Sequence, residues 1–386
     1  MKKQARLFVA AILIAAPSFI PVAHVDEQDA RSKSFNVSKR GTVEVTVDGG
    51  DIRIEVWDKN EVFVKALGID EEDLGRLRME QSGNTVRVEF RRNRGWWSDG
   101  HMRFEITIPS EFNAELRTSG GDIDIRGTVN GTISGSTSGG DVTLRDVKGG
   151  KVDLSTSGGD MRTGNIQGDV KLRTSGGDIE LGKVGGEVNV STSGGNIKAE
   201  SVGKTLKAST SGGNIDIGDV GGEANVSTSG GDISVRKVTG SASLNTSGGN
   251  IELASASGRV KANTSGGDIR LEDITGSIEA STSGGDVVAE LKPSGKGDSR
   301  LSSSGGEITL AIPEDARATI DATIRIQGGW RSHRGEYKVR SDFKADSYEQ
   351  DEDGHEIRAR YVLNGGGDEI TLKTVNSDIQ IMKLRK

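Results

Sequence analysis

The string Thr-Ser-Gly-Gly-Asp/Asn-apolar recurs ten times in this chain, opening at Thr118, Thr137, Thr156, Thr174, Thr192, Thr210, Thr228, Thr246, Thr264 and Thr282. A relaxed eleventh copy opens at Ser303. The first two intervals are 19 residues and the next seven are 18. A fixed period of about 20 residues marks a solenoid, in which one supersecondary unit stacks on copies of itself. The repeat therefore constrains shape strongly and chemistry weakly.

Within one copy, residues 174–191 as the type, position 6 is always apolar: Ile123, Val142, Met161, Ile179, Ile197, Ile215, Ile233, Ile251, Ile269 and Val287. Positions 6 and 8 alternate with polar 5 and 7, the period of a half-buried strand. Positions 15 and 17, such as Val188 and Val190, repeat that alternation. A lone apolar residue at position 11, such as Val184, is expected to tuck beneath the connecting bend. Each rung then reads as two short strands joined by Gly-rich corners.

The paired glycines at positions 3 and 4 (Gly120 and Gly121, Gly176 and Gly177, Gly212 and Gly213, Gly266 and Gly267) are expected to supply positive φ at a sharp corner. Counting by twos turns Thr118, Thr174, Thr210 and Thr264 inward, with hydroxyls free to bond a Thr of the next rung or the corner backbone. Serine at position 2 can satisfy the Gly-Gly amides. Position 5 forms a polar column that includes Asp122, Asp178, Asn214 and Asp268. Stacked carboxylates repel, so they either cap corner amides in the manner of an Asx-turn or hold calcium. Asn replaces Asp three times and both residues cap turns, which favours capping. The calcium nonapeptide G-G-x-G-x-D is not matched, and no cofactor is expected.

Between Thr118 and Leu310 there is no Phe, Tyr or Trp, so the core there is thin and aliphatic. The chain has no cysteine, which excludes disulfides, thiolate metal sites and a lipidated N-terminal cysteine. Lys2, Lys3 and Arg6 followed by apolar Leu7 to Ala16 read as a secretory signal, with cleavage expected after Ala23. An uncleaved anchor is the alternative, and no later stretch has transmembrane length. Loss of residues 1–23 removes three positive charges and takes the formal net charge from −7 to −10. An acidic chain of this kind is a poor nucleic-acid binder.

Outside the repeat, strands are still legible. The expected division is a signal peptide (1–23), an N-terminal β-rich cap (24–117), the solenoid (118–310) and a C-terminal β-rich cap (311–386). Caps are needed because a solenoid has open core and unpaired edges at both ends. The strings GGDIRIEVWDKNEVFVKA, ITIPSEFNAELRTSGGDI, the serial TSGGDI rungs and a closing GGDEITLKTVNSDIQIMK together resemble the bacterial putative-adhesin family of β-strand-repeat proteins, related to toast-rack envelope domains. The resemblance spans about residues 34–386. It implies an all-β, right-handed β-helix-like solenoid of about 18 residues per rung. It also implies an exported or envelope-facing protein with no established enzymatic activity and no catalytic residues to carry over.

Motifs for chemistry are few. Gly203-Lys204-Thr205 lacks the upstream glycine of a phosphate loop, and Ala359 stands where a second zinc-protease His belongs. An Asp column beside Arg126, Arg145, Arg162 or Arg270 leaves a glycan-cleaving site open as an alternative. Two irregular segments are candidate binding loops: one carries Arg94, Trp96, Trp97 and His101, the other Trp330, Arg331 and His333. Flat aromatic faces suit sugar rings, and Arg suits acidic groups. The competing role for these Trp side chains is to plug the solenoid ends. The expected function is non-catalytic: adhesion, envelope scaffolding or contact with an envelope glycan. The alternatives are an envelope stress-sensing domain that binds a protein, and a polysaccharide-active enzyme.

Overall fold

The computed structural model describes residues 31–91, 102–295, 297–327 and 337–384. The signal segment lies outside them. The rung beginning at Thr174 contains strands Ile179–Val184 and Val188–Ser191. Ile179, Leu181 and Val184 are buried, as are Val188 and Val190, while Glu180 and Asn189 face out. Position 11 thus lies within the strand in this rung and stacks across rungs, Val184 against Val202 and Val202 against Val220. Each strand pairs in parallel with its equivalent in the next rung, Ile179 with Ile197 and Val188 with Leu206. Every apolar residue therefore meets a counterpart of the same position and forms a column through the rod. The core is one continuous cluster from Phe35 to Ile381.

Two long sheets result, one from each strand of the rung. The first starts at edge strand Ser32–Asn36 and ends at Val339–Ser341. The second starts at Leu77–Ser82 and ends at Ser347–Gln350. Among the described residues neither sheet closes on itself. Both sheets cross the expected boundaries at 117/118 and 310/311 without a break: in the first, Asp51–Trp57 pairs with Ile123–Ile125 and Ile308–Ile312 with Ile379–Lys383; in the second, Asn113–Thr118 pairs with Ile133–Ser136 and Ser299–Ser303 with Asp368–Val375.

The ends do not follow chain order. Strands Thr42–Val47 and Asp51–Trp57 form a rung inserted between strands of 85–109 and of 113–125. At the other end, Asp368–Val375 and Ile379–Lys383 insert between strands of 299–312 and of 318–341. Beyond these rungs the outer strands turn antiparallel, as in Glu61–Leu67 on Arg103–Pro109 and Glu356–Leu363 on Ala318–Arg325. The N-terminal end is filled by Phe90, Phe104 and Phe112, all buried, with the first two rings 5.9 Å apart.

The Gly-Gly corner differs from expectation. No glycine at positions 3 or 4 of the ten repeats has φ in the left-handed region, Gly120, Gly121, Gly176, Gly177, Gly212, Gly213, Gly266 and Gly267 included. The reason for glycine is close approach, and it applies to position 4. A Cβ on Gly121, Gly177, Gly213 or Gly267 would lie 2.1, 2.0, 2.0 or 2.1 Å from the carbonyl oxygen of the equivalent glycine one rung back. A Cβ on Gly176, Gly212 or Gly266 would stand 3.3, 3.4 or 3.3 Å from its nearest neighbour, and one on Gly120 meets nothing within 4 Å. The first glycine is exposed, and a Cβ there would make at most one tight contact; the second is wedged between rungs.

Two stability outcomes follow from this packing. Gly213→Ala forces the rungs apart and should lower stability by about 1–3 kcal/mol or more, whereas Gly212→Ala should stay within about 0.5 kcal/mol of the parent; equal denaturation midpoints for the two would contradict the wedge. The stack also carries a flaw at Thr163. The Thr163 hydroxyl is buried without a hydrogen-bond partner, in a column position between Leu144 and Leu181. Thr163→Val keeps the shape and removes the orphaned group, so it should raise stability by roughly 1 kcal/mol in urea titration.

Candidate functional site

The polar groups of the repeat form two hydrogen-bonded columns. Each inward threonine hydroxyl donates to the carbonyl of the second glycine one rung back: Thr137 to Gly121 at 2.7 Å, Thr174 to Gly159 at 2.9 Å, Thr210 to Gly195 at 2.9 Å, Thr264 to Gly249 at 2.9 Å. The same oxygen accepts the amide of the second glycine in its own rung, as Thr210 does from Gly213 at 3.3 Å. Of the two partners left open by the sequence, the corner backbone is the one used. Thr118 extends the column to Gly50, Ser303 to Gly285 and Thr374 to Gly306. The position-2 serine side chains are exposed. It is their carbonyls that serve the corner: Ser157 O accepts from the amides of Ser175 and Gly176.

Position 5 makes the second column. Each Asp or Asn accepts, through Oδ1, the backbone amide of the position-5 residue one rung on. Asp122 takes Asp141 at 2.8 Å, Asp178 takes Asn196 at 2.7 Å, Asn214 takes Asp232 at 2.9 Å, and Asp268 takes Asp286 at 2.8 Å. The capping is between rungs, not within a turn. It explains why Asn and Asp interchange: both offer one Oδ1 acceptor in the same place. Of the arginines near this column, Arg162 pairs with Asp160 at 2.7 Å and Arg126 with Asp124 at 2.7 Å. Among the described residues no group of three or more His, Cys, Asp or Glu is placed to hold a metal ion. No described helix is long and apolar enough to cross a membrane.

Ion pairs join neighbouring rungs on the outer faces. Arg236 beside Asp219 holds that carboxylate below its ordinary range, and Arg259, with Lys261, does the same for Glu279. Carboxylates lowered in the folded state add stability above their unfolded pKa, and that contribution is lost as pH falls through the folded value. These pairs are exposed, so each is worth little. A cleft of about 870 Å³ is lined by Glu290, Lys292, Pro313, Glu314, Asp315, Asn364 and Leu384.

The candidate ligand residues Arg94, Trp96, Trp97, His101, Trp330, Arg331 and His333 lie outside the described residues. Their flanking strands are described. Residues 92–101 join Thr85–Phe90, in the second sheet, to Arg103–Pro109, in the first. Residues 328–336 fall between Ala318–Arg325, in the second sheet, and Val339–Ser341, in the first. In every regular rung the Ser-Gly-Gly corner makes that same crossing. In chain order, the two Trp segments therefore stand between strands of the kind that this corner joins elsewhere. A sequence signal for this existed: VRVEF and MRFEITIP alternate like the strands on either side of a TSGG corner.

The columns yield two outcomes measurable in denaturant. Thr210→Val leaves the Gly195 carbonyl and the Gly213 amide without their partner and should cost about 1–3 kcal/mol; Thr210→Ser should keep most of the stability, because Ser303 already makes both bonds. Asp178→Asn should be nearly neutral, and millimolar calcium should leave the melting temperature unchanged; a rise of many degrees would show metal binding to the folded column.

The Toastrack DUF4097 family model matches the chain twice, over residues 41–219 and 200–382. No curated protein matches it. Among solved structures, a putative adhesin from Bacteroides fragilis NCTC 9343 is similar at 18% identity and a TM-score of 0.22, over 73% of this chain and 95% of that one. A putative adhesin from Parabacteroides merdae ATCC 43184 is similar at 15% identity and a TM-score of 0.28, over 73% and 91%. A putative cell adhesion protein from Clostridium sporogenes ATCC 15579 is similar at 9% identity and a TM-score of 0.17, over 92% and 99%. With its two matches covering the chain from residue 41 to residue 382, this protein belongs to the Toastrack DUF4097 family.

Proposed function

We propose that the protein is an exported, non-catalytic rod that contacts an envelope glycan along its Ser-Gly-Gly edge. The observation that supports this reading is the chain order of the strands that flank the two Trp segments. Each segment lies in the chain between a strand of the second sheet and a strand of the first, the same connection that the exposed Ser-Gly-Gly corner makes in every repeat between them. The Ser-Gly-Gly edge offers hydroxyls and bare backbone at the strand spacing of about 4.8 Å. Arg94, Trp96, Trp97 and His101 at one end, and Trp330, Arg331 and His333 at the other, supply aromatic faces and cationic donors to sugar rings and acidic substituents. The Thr and Asp columns are engaged in holding rungs together, which supports a structural rather than catalytic use of the repeat.

The test uses tryptophan fluorescence and co-sedimentation with insoluble envelope polysaccharide. Trp97→Ala combined with Trp330→Ala should weaken binding at least tenfold, about 1.4 kcal/mol, while the melting temperature stays near the parent value. Release of reducing ends from the polysaccharide would establish an enzyme instead. A loss of several kcal/mol of stability in the variant would assign the two side chains to end-plugging.

A further inference from the structure

We propose that the outer face of the second sheet between Val170 and Asn263 is a docking surface for an acidic polysaccharide, which lies across the strands along the rod. The formal net charge of the chain is −7. Six consecutive strands nevertheless contain no Asp or Glu: Val170–Arg173, Val188–Ser191, Leu206–Ser209, Ala224–Ser227, Ala242–Asn245 and Val260–Asn263. In the same rungs the strands of the first sheet carry carboxylates, at Glu180, Glu200, Asp216, Asp219 and Glu252. Carboxylates return to the second sheet on either side of the patch, at Asp153 and Glu279.

The six strands pair in parallel without a register shift, so their outward residues stand in two straight ladders. One ladder runs Lys171, Asn189, Lys207, Asn225, Ser243, Lys261. The other starts at Arg173 and continues through Ser or Asn in each later rung. At the strand spacing of about 4.8 Å the patch is roughly 24 Å long. Lys171 and Lys261, at its two ends, pair with Asp153 and Glu279. Arg173 and Lys207 are exposed and make no ion pair among the described residues. A depression of about 410 Å³ reaches into the face at Lys171, Asn189 and Lys207, bounded by Asp153, Asp169 and Glu187. Of these three carboxylates, Asp153 is paired with Lys171 and Asp169 with Lys151.

Charge complementarity selects the occupant. A polymer lying along the ladders meets cations and neutral donors, and within the ladders no carboxylate opposes it. Lys171 and Lys207 are two rungs, about 9.6 Å, apart, which suits carboxylates carried on alternate residues of an extended glycan. The Asn amides and Ser hydroxyls between them match sugar hydroxyls. A protein partner fits poorly, because the face has no aromatic or large apolar side chain to anchor one. A nucleic acid also fits poorly: its phosphates are denser than these cations, and Asp153, Glu187, Glu223 and Glu279 around the patch repel it. The proposal goes beyond the contact proposed above, since it uses another surface and does not need the Trp segments.

The test titrates carboxymethylcellulose and hydroxyethylcellulose, an acidic and a neutral polymer on the same backbone, into the full chain by calorimetry at low salt. The parent should bind the acidic polymer alone, and more weakly as salt rises. Arg173→Glu combined with Lys207→Glu should weaken that binding at least tenfold, with a melting temperature near the parent value; Arg173→Gln combined with Lys207→Gln should weaken it severalfold. Lys198→Glu combined with Lys237→Glu makes the same change of charge on the first sheet and should alter binding less than twofold. Trp97→Ala combined with Trp330→Ala should leave it unchanged, which separates this face from the Trp segments. No binding of carboxymethylcellulose, equal binding of the two polymers, or equal losses in the two Glu variants would overturn the proposal. Polyphosphate that binds the parent as tightly as carboxymethylcellulose, and loses binding in the same variants, would overturn the choice of a polysaccharide.

Discussion

The rod depends on one contact, the approach of each second glycine to the carbonyl of the second glycine one rung back. Strand pairing fixes the distance between rungs at about 4.8 Å. At that spacing the corner backbones also stack, and a Cβ at Gly213 would fall 2.0 Å from Gly195 O. The carbonyl is thereby sealed from water, and it needs a donor. Thr210 provides the donor at 2.9 Å and takes the Gly213 amide in return. Glycine and threonine are thus two parts of one requirement. The apolar columns supply the larger share of burial energy, but they would tolerate many aliphatic combinations, as Ile217, Val235 and Leu253 do at position 8.

The same bond closes both ends. Thr118 reaches Gly50 and Thr374 reaches Gly306, each across 68 residues of sequence, where the middle of the rod uses 15 or 16. Roughly two doublings of loop length add only about 1.2 kcal/mol of closure entropy. Equilibrium stability thus changes little, but long-range closure slows folding. The middle of the rod can stack in chain order. The ends must wait for strands from elsewhere in the sequence.

Much of the fold is legible in the sequence because local periodicity dictates it. The columns at positions 6, 8, 15 and 17 follow from alternation alone, and the inward Thr follows by counting. The physical role of the glycines was not legible. Conformational freedom and close approach both select glycine, and only the distance to the neighbouring rung separates them, as Gly212 and Gly213 show. The inserted end rungs were also hidden. Gly49-Gly50-Asp51-Ile52 announces a corner, but nothing local says that Thr42–Val47 pairs with Asn113–Thr118. The connection that spans residues 92–101 was half legible: VRVEF and MRFEITIP alternate, but only the structure puts Phe90 and Arg103 in opposite sheets.

Native-state hydrogen exchange at the corners tests the dependence on this contact most directly. In the middle of the rod, the amides of Gly213 and Asn214 are bonded to Thr210 Oγ1 and Asn196 Oδ1. They are expected to exchange as slowly as the strand amide of Ile215, through the same cooperative opening. Corner amides that exchange orders of magnitude faster than Ile215, in a rod whose strands remain protected, would show that the strands hold the stack and the corners merely follow.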